Sequence, residues 1–266
     1  MSFDALLKQP GILVLPGAYD ALSARIAVRS GAKAVYMTGF GVAGASFGVP
    51  DIGLVNAEQM IERVRSIASA IAPVPLIADG DNGHGGPLNV ARLTRAYEQA
   101  DASCIQLEDQ ASPKRCGHMD GKDVIPLAEA AAKIKAASEA RTSSAFKIMA
   151  RTDARAMHDL DEALRRGEAF LRAGADILFI EAPQSEDELA KIASTFKGTP
   201  LVANLVEDGK TPMLSASALE KIGYKIALYP ISALLHAAAA VEAAYAKLLG
   251  GNAPARERVT FSQYNE

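Results

Sequence analysis

Cysteine is scarce in this chain: two residues, Cys104 and Cys116, in 266. Two thiols in so long a chain do not build a disulfide scaffold. The opening Met-Ser-Phe-Asp-Ala also lacks the basic and apolar stretches of a secretory signal. Both thiols are therefore expected to be reduced, in a soluble, cytoplasmic protein. Long apolar runs are missing too. Stretches such as Ile12-Leu13-Val14-Leu15 are far too short to span a bilayer, so no membrane partner is expected. An excess of basic charge is absent: 28 Lys and Arg stand against 31 Asp and Glu, a formal net charge of −3. With no basic stripe, nucleic acid is a poor partner. No Pro-, Ser- or Gly-rich linker divides the chain, so residues 1–266 are expected to form one domain.

What is present is a regular alternation. Short apolar runs at 12–15, 34–38, 76–78, 104–107, 147–150, 177–180, 201–203 and 226–229 read as strands buried on both faces. Longer helical patterns separate them. The stretch 161–170 opens with acids, which suit the positive end of a helix dipole. Gly31 and Gly174 each stand just before a strand, where a left-handed residue closes the preceding helix. Eight such alternations predict an α/β fold of the closed (β/α)8 TIM-barrel type, with a C-terminal helical extension. The competing architecture is an open doubly wound sheet. Gly39-Phe40-Gly41-Val42-Ala43-Gly44 matches the dinucleotide pattern, but it follows the second strand and lacks an acidic ribose-binding partner. The Ala/Leu-rich stretch 232–250 is apolar on more than one face and needs burial, against its own sheet or on a partner subunit.

A barrel collects its chemistry at the C-terminal ends of its strands. Those ends carry Thr38-Gly39-Phe40, then Asp79-Gly80-Asp81, Glu108, Arg151, Glu181, Asn204 and Tyr229-Pro230. Asp79, Asp81 and Glu108 are the first cluster. Carboxylates gathered so closely repel one another, and a divalent cation relieves that repulsion. Oxygen ligands without a His or Cys set favour Mg²⁺, or Mn²⁺, over Zn²⁺. Either acid of Asp-x-Asp has an alternative role as a helix cap. The backbone amides of Thr38, Gly39 and Phe40, at the start of a βα loop, suit a carboxylate ligand. Arg151 leaves an apolar run and needs an anion, either Glu181 or a substrate carboxylate. Cys116 is flanked by Lys114, Arg115 and His118, cations that lower a thiol's pKa, and the nearby Gly117 and Gly121 suit a lid.

These stretches together resemble the isocitrate lyase/phosphoenolpyruvate mutase superfamily over nearly the whole chain. Lys114-Arg115-Cys116-Gly117-His118 looks like the signature of its lyase branch, which the mutase and phosphonopyruvate hydrolase branches lack. The Asp79–Val90 stretch and Asn204 with Gly209-Lys210-Thr211-Pro212 are similar to the dimethylmalate lyase and oxaloacetate acetylhydrolase group. Methylisocitrate lyases are similar around residues 149–154 and 227–230. The resemblance implies a homo-oligomer, a dimer of dimers in which the last helix is swapped between subunits. It implies Mg²⁺ near Asp51, Asp79, Asp81 and Glu108, partly through water. Thr38, Gly39, Phe40 and Arg151 would hold the carboxylate of a 2-oxo fragment. Glu181, Asn204, Gly117, His118 and Pro230 would complete the substrate site.

The implied reaction is cleavage of a substituted malate or isocitrate-like 2-hydroxy dicarboxylate to a 2-oxo acid, pyruvate, and a short carboxylate. Best fits are 2,3-dimethylmalate and 2-methylisocitrate. Tyr36 or a metal-linked carboxylate would be the base. Lys114, Arg115 and His118 would stabilise the departing enolate, and Cys116, on a gating loop, would protonate it. Alternatives are oxaloacetate hydrolysis or decarboxylation, and a carboxyphosphonoenolpyruvate phosphonomutase-like reaction. In the oxaloacetate hydrolases a serine is expected where this chain has Pro230, which has no donor to offer.

Overall fold

A computed structural model describes residues 1–114, 123–207, 209–251 and 259–260. Arg115, Cys116, Gly117, His118 and Gly121 lie outside the described residues.

The elements run in the order α1 (Phe3–Lys8), β1 (Leu13–Ala18), α2 (Ala21–Arg29), β2 (Val35–Met37), α3 (Gly39–Phe47) and α4 (Ala57–Ile71). Then come β3 (Leu76–Asp79), α5 (Pro87–Gln99), β4 (Cys104–Glu108), α6 (Leu127–Ala140), β5 (Lys147–Thr152), α7 (Ala154–Met157) and α8 (Leu160–Arg172). The chain closes with β6 (Ile177–Ile180), α9 (Glu186–Thr195), β7 (Val202–Asn204), α10 (Ala216–Ile222), β8 (Ile226–Tyr229) and α11 (Ser232–Leu249). All eight expected strands are present, each within a few residues of its predicted limits.

The strands are parallel and ordered β6-β5-β4-β3-β2-β1-β8-β7. The two ends meet where Leu178 of β6 bridges Leu201 in parallel, and Leu178 N donates to Pro200 O at 3.1 Å. That contact closes the sheet into a (β/α)8 barrel and removes the open-sheet alternative. The motif 39–44 forms the first turns of α3, with Gly39, Gly41, Val42 and Ala43 buried. Gly31 and Gly174 adopt φ of 99° and 103°, as their place after a helix predicts.

Side chains alternate across each strand and so split the core in two. An outer cluster joins the sheet to the helices. An inner cluster fills the barrel with Leu13, Leu15, Tyr36, Ile77, Cys104, Met149, Phe179 and Leu228. Phe3 and Leu6 of α1 join this inner cluster, so α1 plugs the N-terminal end of the barrel. Cys104 is fully buried there, its pKa raised well above the usual range chiefly by that burial, and is chemically inert.

Helix α11 breaks the pattern. None of its residues is buried, and Tyr245 is 61% exposed. The helix meets its own sheet at β1, one of the two readings of stretch 232–250, but buries no residue fully there. A stretch of the barrel wall is also bare. Val14, Leu22 and Ile26 on β1 and α2 are about half exposed, beside a groove of about 820 Å³.

Candidate active site

Strand register decides which side chains meet. Asp79 pairs across the sheet with Gln106, and Glu108 with Arg151. These positions lie at the C-terminal rim, over the inner cluster. Asp79, Glu108 and Arg151, together with Tyr36, Thr38, Phe40, Asp51, Lys114, Asn204 and Pro230, surround a cavity of about 500 Å³. Its remaining wall is apolar: Phe179, Val206, Leu228 and Ile231.

The acids converge as their positions in sequence predict. A Cβ built on Gly39 would lie 2.8 Å from Asp79 Oδ2 and 3.1 Å from Asp81 Oδ1, so only glycine fits between α3 and these carboxylates. Asp81 adopts φ of 49°, a left-handed conformation costly for a residue with a Cβ. It turns the carboxylate toward the same rim. Burial, then Asp81, raises Asp79 to about 6, against the pull of Lys114. Burial also raises Asp51, and raises Glu108 well above its usual value despite the nearby Arg151.

Lys114 lies at the centre of the cluster. Its ammonium pairs with Asp51 Oδ1 and lies 2.6 Å from Asp81 Oδ1, and it is 5% exposed. Burial opposes its charge, but Asp81, Asp51, Glu108 and Asp79 outweigh that and hold its pKa well above normal. So Lys114 is turned into the acids. Among the described residues no three His, Cys, Asp or Glu side chains stand as a ready-made metal cage. The donors nonetheless fit a hard divalent cation. They are all oxygens, and the buried Glu108 Oε1 has no hydrogen-bond partner among the described residues.

Tyr36 is tied into a buried hydrogen-bond chain. Its hydroxyl donates to Gln106 Oε1 at 2.5 Å, and Gln106 Nε2 donates to Asp79 Oδ1 at 3.2 Å. Burial, then Asp79, pushes the phenol well above its usual pKa, so Tyr36 keeps its proton. Gln106 is a residue that sequence reasoning missed. The signal was a lone amide inside the apolar run 104–107, which needs a buried partner.

The helix-opening amides are partly spent. Thr38 N donates to Ala18 O, and Gly39 N to Asp79 Oδ2 at 3.2 Å. Thr38 Oγ1 caps α3 by accepting from Gly41 N. Of the three amides proposed as a carboxylate cradle, those two serve the fold, which leaves that of Phe40. Glu181 is likewise not a lining residue. It is fully buried, 3.2 Å from Arg151 Nη2, and accepts from Asn204 Nδ2 at 3.1 Å. It holds Arg151 and Asn204 from beneath. The buried Asn204 Oδ1 is left without a hydrogen-bond partner among the described residues.

Arg151 itself stacks over Phe179 at 5.1 Å and donates from Nε and Nη2 to Asp153 at 2.9 and 3.0 Å. Burial works against its charge, but Asp153, Glu181 and Glu108 raise its pKa well above the usual value. The site is therefore a permanent guanidinium facing a cluster of acids across a small cavity with an apolar wall. That arrangement suits a small anion that also presents oxygens to a cation.

A family model described as phosphoenolpyruvate phosphomutase matches residues 3–249. The 2,3-dimethylmalate lyase of Eubacterium barkeri is 45% identical over 98% of this chain and 91% of its own. The 2-methylisocitrate lyase of Bacillus subtilis (strain 168) is 42% identical over 90% of this chain and 78% of its own. Among solved structures, oxaloacetate acetylhydrolase with the inhibitor 3,3-difluorooxalacetate superposes with a TM-score of 0.96 at 33% identity. It covers 99% of this chain and 91% of that one. Phosphonopyruvate hydrolase in complex with oxalate and Mg²⁺ superposes at 0.85 and 30% identity, over 97% and 90%.

Proposed function

Because the chain belongs to the phosphoenolpyruvate phosphomutase family, in the isocitrate lyase/phosphoenolpyruvate mutase superfamily, we propose that this carbon–carbon lyase cleaves a substituted malate, best fitted by 2,3-dimethylmalate, to pyruvate and a short carboxylate. One observation carries the choice of substrate. The only cations among the described lining residues, Lys114 and Arg151, are already matched by acids, and the apolar part of the wall is Phe40, Phe179, Val206, Leu228, Pro230 and Ile231. An alkyl substituent at C3 suits such a wall. The third carboxylate of 2-methylisocitrate has no partner there among the described residues.

The resident metal of this reading is Mg²⁺, with Mn²⁺ as a substitute, near Asp51, Asp79, Asp81 and Glu108. When bound, it supplies Lewis-acid polarisation of the substrate's 2-hydroxyl and 1-carboxylate. Arg151 and the Phe40 amide hold the carboxylate of the 2-oxo fragment. A carboxylate of the acid cluster takes the 2-hydroxyl proton. The C2–C3 bond then breaks in a retro-aldol sense, and its electron pair leaves on the second fragment as an enolate. Lys114, Arg115 and His118 balance that charge, and Cys116 returns a proton to carbon. Asn204 Oδ1, without a partner among the described residues, accepts a hydrogen bond from the substrate.

Oxaloacetate hydrolysis is the second reading, favoured by the likeness to oxaloacetate acetylhydrolase. Pro230 lines the cavity and carries no hydroxyl to hold a hydrated ketone, which favours the lyase. Carboxyphosphonoenolpyruvate chemistry is disfavoured by the Cys116 motif.

The proposed assembly is a homo-oligomer in which α11 of each subunit covers β1 and α2 of a partner. An apolar helix without buried residues and a bare stretch of barrel wall support it.

The decisive assay offers 2,3-dimethylmalate, 2-methylisocitrate, isocitrate and oxaloacetate with Mg²⁺, and reads pyruvate, glyoxylate and oxalate. Pyruvate is expected, fastest from 2,3-dimethylmalate. Oxalate from oxaloacetate as the only product would reject the lyase reading.

A further inference from the structure

Behind the cavity, on the helix side of the sheet, lies a second set of buried charges. Asp109 follows Glu108, and strand alternation turns it away from the cavity into the layer beneath α8. Its carboxylate is 2% exposed and fully engaged. Oδ2 accepts from Thr152 Oγ1 at 2.6 Å and from Arg166 Nη1 at 2.9 Å. Oδ1 accepts from the Asp153 backbone N–H at 3.0 Å. Arg166 projects inward from α8, is 4% exposed, and is anchored by Glu162 Oε1 and Ile125 O, at 2.8 and 2.9 Å. Asp153, held by its backbone on Asp109, in turn clasps Arg151 through both carboxylate oxygens.

We infer that Asp109 and Arg166 are positioning residues for Arg151: they fix the segment 152–153, and through it the Asp153 fork that aims the guanidinium at the cavity. The chain of contacts is continuous and alternates donor with acceptor: Arg166, Asp109, the Thr152–Asp153 segment, Asp153, Arg151. No member of the outer pair lines the cavity. Burying Arg166 and Asp109 costs desolvation that a surface pair would avoid. A fork gripped from one side only would let Arg151 swing toward Glu108 or Glu181, at 3.6 and 3.2 Å, and lose its aim. The inference rests on Arg151 being the partner of the substrate carboxylate.

The test is a double-mutant cycle on oxalate affinity, measured by calorimetry with Mg²⁺ present. Asp109→Asn and Arg166→Met are each combined with Arg151→Met, and thermal midpoints are recorded. Each single change is expected to weaken oxalate about fivefold or more, and to change nothing further in the Arg151→Met background. Thr152→Val removes one of Asp109's bonds without changing charge, and carries the same cycle should the charge variants not fold. Unchanged oxalate affinity in folded single variants would overturn the inference. So would an equal loss that persists without Arg151, which marks a merely structural role. Unaltered oxalate affinity in Arg151→Met alone would instead reject the reading of Arg151, and the inference with it.

Discussion

Lys114 Nζ lies 2.6 Å from Asp81 Oδ1, so a cation from the segment after β4 neutralises an acid from the loop after β3. The same ammonium also pairs with Asp51 from the stretch between α3 and α4. On the proposed function, a divalent ion would compete for that place. Replacing Lys114 leaves the acids unscreened and more attractive to a metal. Lys114→Met is expected to tighten Mg²⁺ binding by about tenfold in calorimetry, while turnover falls. Weaker metal binding in this variant would show that Lys114 organises the acids rather than competing for them.

Cys116→Ser is expected to lose most turnover while pyruvate still binds with Mg²⁺. A hydroxyl is a far weaker acid than a thiol and returns a proton to carbon poorly. Near-normal turnover would remove Cys116 from the mechanism.

Metal removal divides the roles of the acids. EDTA is expected to abolish activity, and added Mg²⁺ or Mn²⁺ to restore it. Asp81→Ala should stay inactive whatever the metal supply, because Asp81 is the acid shared by Lys114 and the Gly39 corner. Activity that persists in EDTA would exclude the proposed metal.

Tyr36→Phe is expected to cost about 1–3 kcal/mol of stability, since Gln106 Oε1 is then buried without its donor. Denaturant unfolding measures the loss. Turnover should fall only modestly, because the phenol stays protonated. A loss as large as that from Cys116→Ser would restore Tyr36 as a base.

Val14→Asp puts a charge into the bare groove beside β1. If α11 of a partner subunit seats there, light scattering should report a smaller assembly, with the barrel still folded. An unchanged mass would place α11 elsewhere.

Much of this was legible in sequence because it depends on local pattern. Eight apolar runs separated by amphipathic stretches can bury their faces in few ways, and the closed barrel followed. Strand ends then marked Asp79, Glu108, Arg151 and Asn204 as rim residues, whatever their partners. The Gly31 and Gly174 helix ends followed from backbone sterics alone.

Partnership was decided only by the fold, since a side chain's hydrogen bonds depend on neighbours distant in sequence. Gln106 sits 70 residues from Tyr36, yet shares its proton. Arg166 reaches Asp109 across 57 residues. The amide of Gly39 was expected to face a ligand, but the Asp79 carboxylate, brought alongside by the pairing of β2 with β3, takes it first. Glu181 likewise is drawn under the rim to serve Arg151 rather than a substrate. The sequence alone determined which chemistry stands at the rim. Three-dimensional packing decided which of those groups stay free to act, because buried charges and dipoles must be matched before any is left for a ligand.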